Sequence, residues 1–389
     1  MCITPRVLFL AFGFSVVSLV QAQDTGSLLV ISKHDQTLAI VDPATLQVVA
    51  RVPVGEDPHE VAANADGTIA LVSNYGSGAY HTLAVVDLVA HQALPAIDLG
   101  PLRGPHGLVF VGGKFWFTVE GSKAVARYDP ATRQVDWVMG TGQNRTHMLY
   151  VSSDGLHLVT TNVNSSTVSI IDFEPVRQAG TGRGGARPAA ARPTDAPPPQ
   201  RPANAAPAPR GNGPPSSTLP MPTVDWNETV IQVGSGSEGF DVSPDGKEIW
   251  VGNANAATVS IIDRQEKKVI ATLDVNVPRA NRLRFTPDGK LVLVSSSADL
   301  VILDASTRTV VKRLQLGQFG HGAGGVFVQP DGARAFVGLG PDNFVAVVDL
   351  HTFEVVGHID VGGEPDGMAW AVRHADTAAQ PSAPPATSP

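Results

Sequence analysis

The sequence predicts an all-β protein, a seven-bladed β-propeller of four-stranded antiparallel blades, on three observations. The first is a repeat. Seven β-rich runs each end in an apolar residue followed by aspartate: Val41-Asp42, Val86-Asp87, Tyr128-Asp129, Ile171-Asp172, Ile262-Asp263, Leu303-Asp304 and Val348-Asp349. The intervals are 45, 42, 43, 91, 41 and 45 residues, and the long one returns to the common period once a low-complexity segment over 175–223 is set aside. A fixed period of this length marks propellers and solenoids. The second is composition: Val, Ile and Thr runs broken by Gly, Asn and Asp fill the chain, and helical patterning is scarce. The third is that the two ends complement each other. Three strands at 28–32, 37–42 and 47–53 open the chain without an inner partner, and one lone inner strand, PDGMAWAV, finishes it. Joined, they make the seventh blade and leave no open ring edge.

One unit, residues 58–98, shows the four strands. PHEVAA precedes an Asp66-Gly67 turn, TIALVSNY follows as a nearly continuous apolar strand, and TLAVVDL and QALPAIDLG complete the blade. Strands packed between two neighbouring blades need apolar residues on both faces. Asp-Gly recurs at 154–155, 245–246, 288–289 and 331–332, and Gly112-Gly113 replaces it in blade two. Such dipeptides between apolar runs predict type I′ hairpins. The once-per-blade aspartates are expected to be architectural, accepting backbone N–H groups where the third strand turns into the fourth. Trp116, Trp250 and Trp370 are expected between blades.

Of 389 residues, 43% are hydrophobic and 16% charged, enough for a large core. The net charge of −8 argues against nucleic-acid binding. Residues 1–22 read as a cleaved secretory signal, with Arg6, an apolar stretch over 7–20 and small residues at Val20 and Ala22. The stretch is short for a membrane span, with a retained anchor as the alternative. The only cysteine, Cys2, would leave with it, which suits a periplasmic or secreted protein. Segment 175–223 is rich in Pro, Ala, Gly and Arg and is expected to be a disordered insert between the third and fourth strands of one blade. Its arginines offer contact with an anionic cell envelope. Residues 373–389 read as a disordered tail, and a monomer is expected.

The stretch SPDGKEIWVGNANAATVSIIDRQEKKVIATL resembles the YVTN family β-propeller repeat, as in YncE-like and surface-layer proteins, over about residues 28–372 without the insert. The resemblance implies the seven-bladed ring and a periplasmic setting. It says little about activity, because sites are grafted onto folds.

Strand direction places the loops that lead into first strands on one face. Aligning first strands by their apolar pattern puts His59, His106, His147, Glu238, Asn281, Gly324 and Asp366 at equivalent positions around the channel. His321 precedes its aligned position in blade six, and Arg103, Arg145, Arg279 and Arg282 lie near the same rim. Imidazoles with carboxylates suit Cu, Zn or Fe, making His59, His106, His147 and His321 candidate metal ligands. The alternative is a turn cap or a wet channel lining. The arginines with Glu238, Asn281 and Asp366 suit a small-molecule or anion pocket. The leading expectation is a binding module whose small-molecule, metal or protein ligand sits on this face. The alternative is an enzyme, metal-dependent oxidoreductase or lactonase- or lyase-like, with a histidine as general base.

Overall fold

The computed structural model describes residues 26–175, 224–297, 299–318 and 322–372. The expected signal, nearly all of the insert, the tail and His321 lie outside them. Blade one is β4 (Pro58–Ala63), β5 (Ile69–Asn74), β6 (Thr82–Asp87) and β7 (Gln92–Asp98). Blade two is β8 (Pro105–Val111), β9 (Lys114–Val119), β10 (Ala124–Asp129) and β11 (Gln134–Gly140). Blade three is β12 (Thr146–Val151), β13 (His157–Asn162), β14 (Thr167–Pro175) and β15 (Val224–Gln232). Blade four runs β16 (Ser237–Val242), β17 (Glu248–Asn253), β18 (Thr258–Asp263) and β19 (Lys268–Leu273). Blade five runs β20 (Ala280–Phe285), β21 (Leu291–Ser296), β22 (Asp299–Asp304) and β23 (Thr309–Gln315). Blade six runs β24 (Ala323–Val328), β25 (Arg334–Leu339), β26 (Phe344–Asp349) and β27 (Glu354–Asp360). Blade seven joins the chain ends: β28 (Pro365–Val372) pairs with β1 (Gly26–Ser32), followed by β2 (Thr37–Asp42) and β3 (Gln47–Pro53).

The core lies between blades. Successive side chains of a strand point to opposite faces, so β1 sends Leu29 and Ile31 toward Val61, Ala70 and Val72 of blade one. Its Leu28 and Val30 pack against Phe336, Val345 and Val347 of blade six. Trp116 and Trp250 fill two other interfaces, and Trp370 stacks over Phe327 in the same interface of blades six and seven. Outer strands alternate instead, as in β3, because only one of their faces meets a neighbour fully. Among the described residues no helix is long and apolar enough to cross a membrane.

Closure runs antiparallel from Gly26↔Val372 to Ser32↔Pro365. Ser32 Oγ also donates to the Gly363 carbonyl at 2.8 Å, and the Lys33 and His34 amides reach the Glu364 and Gly363 carbonyls.

The Asp-Gly turns differ from expectation. Only Gly67, Gly155, Gly246, Gly289 and Gly332 take positive φ; the preceding aspartates do not. Each aspartate instead accepts the amide two residues on, as Asp66 does from Thr68 and Asp245 from Lys247. A side-chain bond has taken over from the second left-handed residue. Gly112-Gly113, with both φ positive, keeps the two-residue form that type I′ requires. Of the once-per-blade aspartates, Asp42, Asp87, Asp129, Asp263, Asp304 and Asp349 accept turn amides. Asp172 is the exception. Its strand runs on into the nine-residue β14–β15 pairing, which includes Pro175, and its carboxylate instead meets Lys267 Nζ at 2.6 Å and His157 Nδ1 at 2.7 Å.

Candidate functional site

Each inner strand slips register at its second and third residues, between Pro58 and Val61 in β4, Pro105 and Leu108 in β8, and Ser237 and Phe240 in β16. Such bulges release residues from the ladder and re-aim side chains. The freed third-residue amides are capped by hydroxyls of the second strand: Ser73 for Glu60, Thr118 for Gly107 and Ser295 for Arg282. The second residues, His59, His106, His147, Glu238, Asn281, Gly324 and Asp366, thus ring the axis at one end of the channel.

The third residues set how closely the strands approach. A Cβ at Gly107, Gly239, Gly325 or Gly367 would come within 2.0–2.5 Å of a carbonyl oxygen of the next inner strand. Blades one and five carry Glu60 and Arg282 here. These two pair directly across the axis, and Arg282 also lies 3.6 Å from Asp366. This buried ion pair floors the channel.

A second ring comes from the residue directly after each second strand: Lys33, Tyr75, Glu120, Val163, Ala254, Ser297 and Gly340. The two rings are lopsided in the same sense. From blade seven through blade three they carry Asp366, His59, His106 and His147 beside Lys33, Tyr75 and Glu120. Blades five and six carry Asn281 and Gly324 beside Ser297 and Gly340. Where these side chains are small the mouth stays open as a cavity of about 630 Å³, lined by Glu238, Asn255, Arg279, Asn281, Ser297 and Gly324 among others.

The filled side is a chain of contacts. Asp57 Oδ1 lies 3.0 Å from His59 Nε2, and His59 Nδ1 lies 3.0 Å from His106 Nε2. The His106 and His147 rings lie 3.9 Å apart between centroids. His147 Nδ1 bonds Glu120, and its Nε2 is 3.2 Å from Glu238 Oε1, an ion-pair distance but off the line of a hydrogen bond. Tyr75 covers His59 and His106 edge-on and donates to Glu120 Oε2 at 2.5 Å. Arg145 lies 3.6 Å from both Glu120 and Glu238.

These contacts set the charges. Burial, then the neighbouring charge of His147, pushes His106 well below the ordinary imidazole value. Burial would lower His147 too, but Glu120 and Glu238 outweigh it and its pKa is raised. Burial would raise Glu238, yet His147, Arg145 and Arg282 hold it down at about 2. Asp57 also sits at about 2, chiefly through its hydrogen bond with His59. Assigned from this network, His59 donates Nε2–H to Asp57 and accepts Nε2–H from neutral His106. The His106 lone pair then sits on Nδ1, which is buried and without a hydrogen-bond partner.

The residues singled out in the sequence separate into groups. His59, His106, His147, Glu238 and Asp366 come together with Arg145. His106 and His147 are each only 1% exposed, so they stand behind the channel wall and do not line an open mouth. Asn281 and Arg279 line the cavity. Arg103 is exposed and braces the Ala79 carbonyl at 3.0 Å, clear of the histidines. Sequence reasoning missed Asp57, Glu60, Tyr75 and Glu120. Aligning the blades at the end of their second strands would have exposed Tyr75 and Glu120, because the equivalent residues elsewhere are mostly small.

No family model and no curated protein matches the chain. A functionally unknown protein from Desulfotomaculum acetoxidans superposes with a TM-score of 0.65 at 12% identity, over 90% of this chain and 99% of that one. Kuenenia stuttgartiensis hydrazine synthase superposes with a TM-score of 0.60 at 19% identity, over 87% of this chain and 99% of that one. The likeness is one of fold. It covers nearly the whole length of both proteins and extends to the ring, not to what any site does.

Proposed function

We propose that this propeller is a periplasmic or secreted binding module of YVTN type, and that its ligand is a small zwitterionic or neutral polar molecule. The observation that carries the reading is the cavity at the channel mouth. Glu238 gives it a fixed negative charge and Arg279 a positive one. Asn255, Asn281 and Ser297 add groups that both donate and accept. The cavity exists because blades five and six carry short side chains at both ring positions, whereas blades seven, one and two carry larger ones at both. A purely structural ring has no use for that asymmetry.

The test is a thermal-shift screen of the intact chain against free amino acids and neutral sugars. A ligand should raise the melting temperature and lose its effect in Glu238→Gln. Gly324→Leu should abolish binding without unfolding the protein, since a Cβ there meets nothing closer than 3.9 Å. If no probe stabilises the protein, or if Gly324→Leu binds as well as the parent, the cavity is not the site. A second reading, an enzyme working on the same face, draws on one observation: the Asp57–His59–His106 chain, which leaves an unprotonated nitrogen on His106.

A further inference from the structure

We infer that His106, His147 and Glu120 form a binding site for a divalent first-row transition-metal ion, with His59 and Asp57 positioning His106. The inference does not depend on what enters the cavity. One ligand atom from each of the three residues lies within 4.8 Å of the others, and all three are buried. Metal bonds of about 2.0–2.2 Å set donors roughly 3–3.5 Å apart, so these side chains close by up to roughly 1–2 Å around an ion.

Three further observations support the site. The histidines are not needed to build the ring, because the same bulged position carries Glu238, Asn281, Gly324 and Asp366 in the other four blades. His106 Nδ1 is buried without a hydrogen-bond partner, and its ring lies tilted at 37° against that of His147, 3.9 Å away between centroids. Buried polar atoms are nearly always satisfied, and an orphaned imidazole nitrogen on His106, grouped with Glu120 and His147, calls for an ion or a water. Finally, the surroundings have the form of an outer shell. Metal-bound histidines commonly hand their second ring nitrogen to a carboxylate or another acceptor. His106 does so through His59 to Asp57, and Tyr75 steadies Glu120. Two imidazoles and one carboxylate are a donor set that suits Zn²⁺ or Fe²⁺ and leaves coordination positions open. Glu238 stands between this site and the cavity, 3.2 Å from His147.

The competing account is a buried ion pair, with His147 clamped between two carboxylates and no ion involved. Chelator-stripped full-length protein titrated with Co²⁺ and with Zn²⁺ separates the two. Uptake of a single ion with an intensified visible Co²⁺ spectrum is expected. His106→Asn and His147→Asn should each abolish it, and Asn281 shows that asparagine fits this strand position. His59→Asn should weaken affinity about 10–100-fold without abolishing it, while Arg279→Ala, in the cavity, should leave uptake unchanged. If an asparagine variant does not fold, nitrogen splitting in the Cu²⁺ spectrum of the unaltered protein reports imidazole ligation directly. Folded protein that takes up neither metal overturns the site. So does equal uptake by a folded His106→Asn/His147→Asn double variant, or a Cu²⁺ spectrum without nitrogen splitting.

Discussion

Glu60 and Arg282 occupy a strand position that four sister blades give to glycine, and they meet across the channel, both buried. An ion pair of this kind stabilises little overall, because desolvation offsets attraction, yet breaking it strands a charge. Glu60→Met and Arg282→Met, which copy Met148 of blade three, should each cost about 3–5 kcal/mol in urea unfolding. The double variant should recover most of that loss; purely additive losses would show that the two residues do not act as a pair. Gly324 and Gly325 make the same point about position. A Cβ at Gly325 would lie 2.0 Å from the Asp366 carbonyl oxygen, whereas one at Gly324 would face the cavity. At this scale His59, His106, His147, Glu238, Asn281 and Asp366 were legible, because the apolar pattern after them fixes the alignment of the inner strands. Tyr75 and Glu120 were not. They are marked only by where a strand stops, and only an alignment of the second-strand ends picks them out.

At the scale of elements, the hairpins were legible in place but not in kind. Asp-Gly marked five first-to-second-strand turns, yet the aspartate works through its carboxylate and not through its backbone angle. Asp245 and Asp288 are held at about 2, chiefly by hydrogen bonds from Ser243 and Thr286. A carboxyl kept below its ordinary value of 3.8 stabilises the fold above that pH and ceases to as pH falls toward 2. Both groups are largely exposed, so the contribution of each is small. In acid titrations, Asp288→Asn should be less stable than the parent at neutral pH, with the difference closing between pH 3.8 and 2. A gap that persists below pH 2 would instead assign the effect to packing. The bulges of the inner strands were invisible in the sequence. They depend on the hydroxyls of Ser73, Thr118 and Ser295, which cap a freed amide from the neighbouring strand.

The whole molecule is a ring closed by strands from opposite ends of the chain. β28 gives β1 its inner partner and supplies Met368, Trp370 and Ala371 to two inter-blade cores. A chain ending at Val361 should therefore lose cooperative thermal unfolding and scatter light, because β1 becomes an open apolar edge. An unchanged melting curve would show that closure is dispensable. Sequence alone determined the blade count, the strand order and this closure, since repetition and alternating burial are local patterns that the chain writes out in full. It also determined which seven residues share a ring position. Tertiary structure alone decided what the ring does with them. The direction a bulge aims a side chain, the pairing of Glu60 with Arg282 across 222 residues, and the placing of Glu120 against His147 arise only when blades pack side by side. So does the cavity, which depends on which small residues become neighbours and not on any one of them.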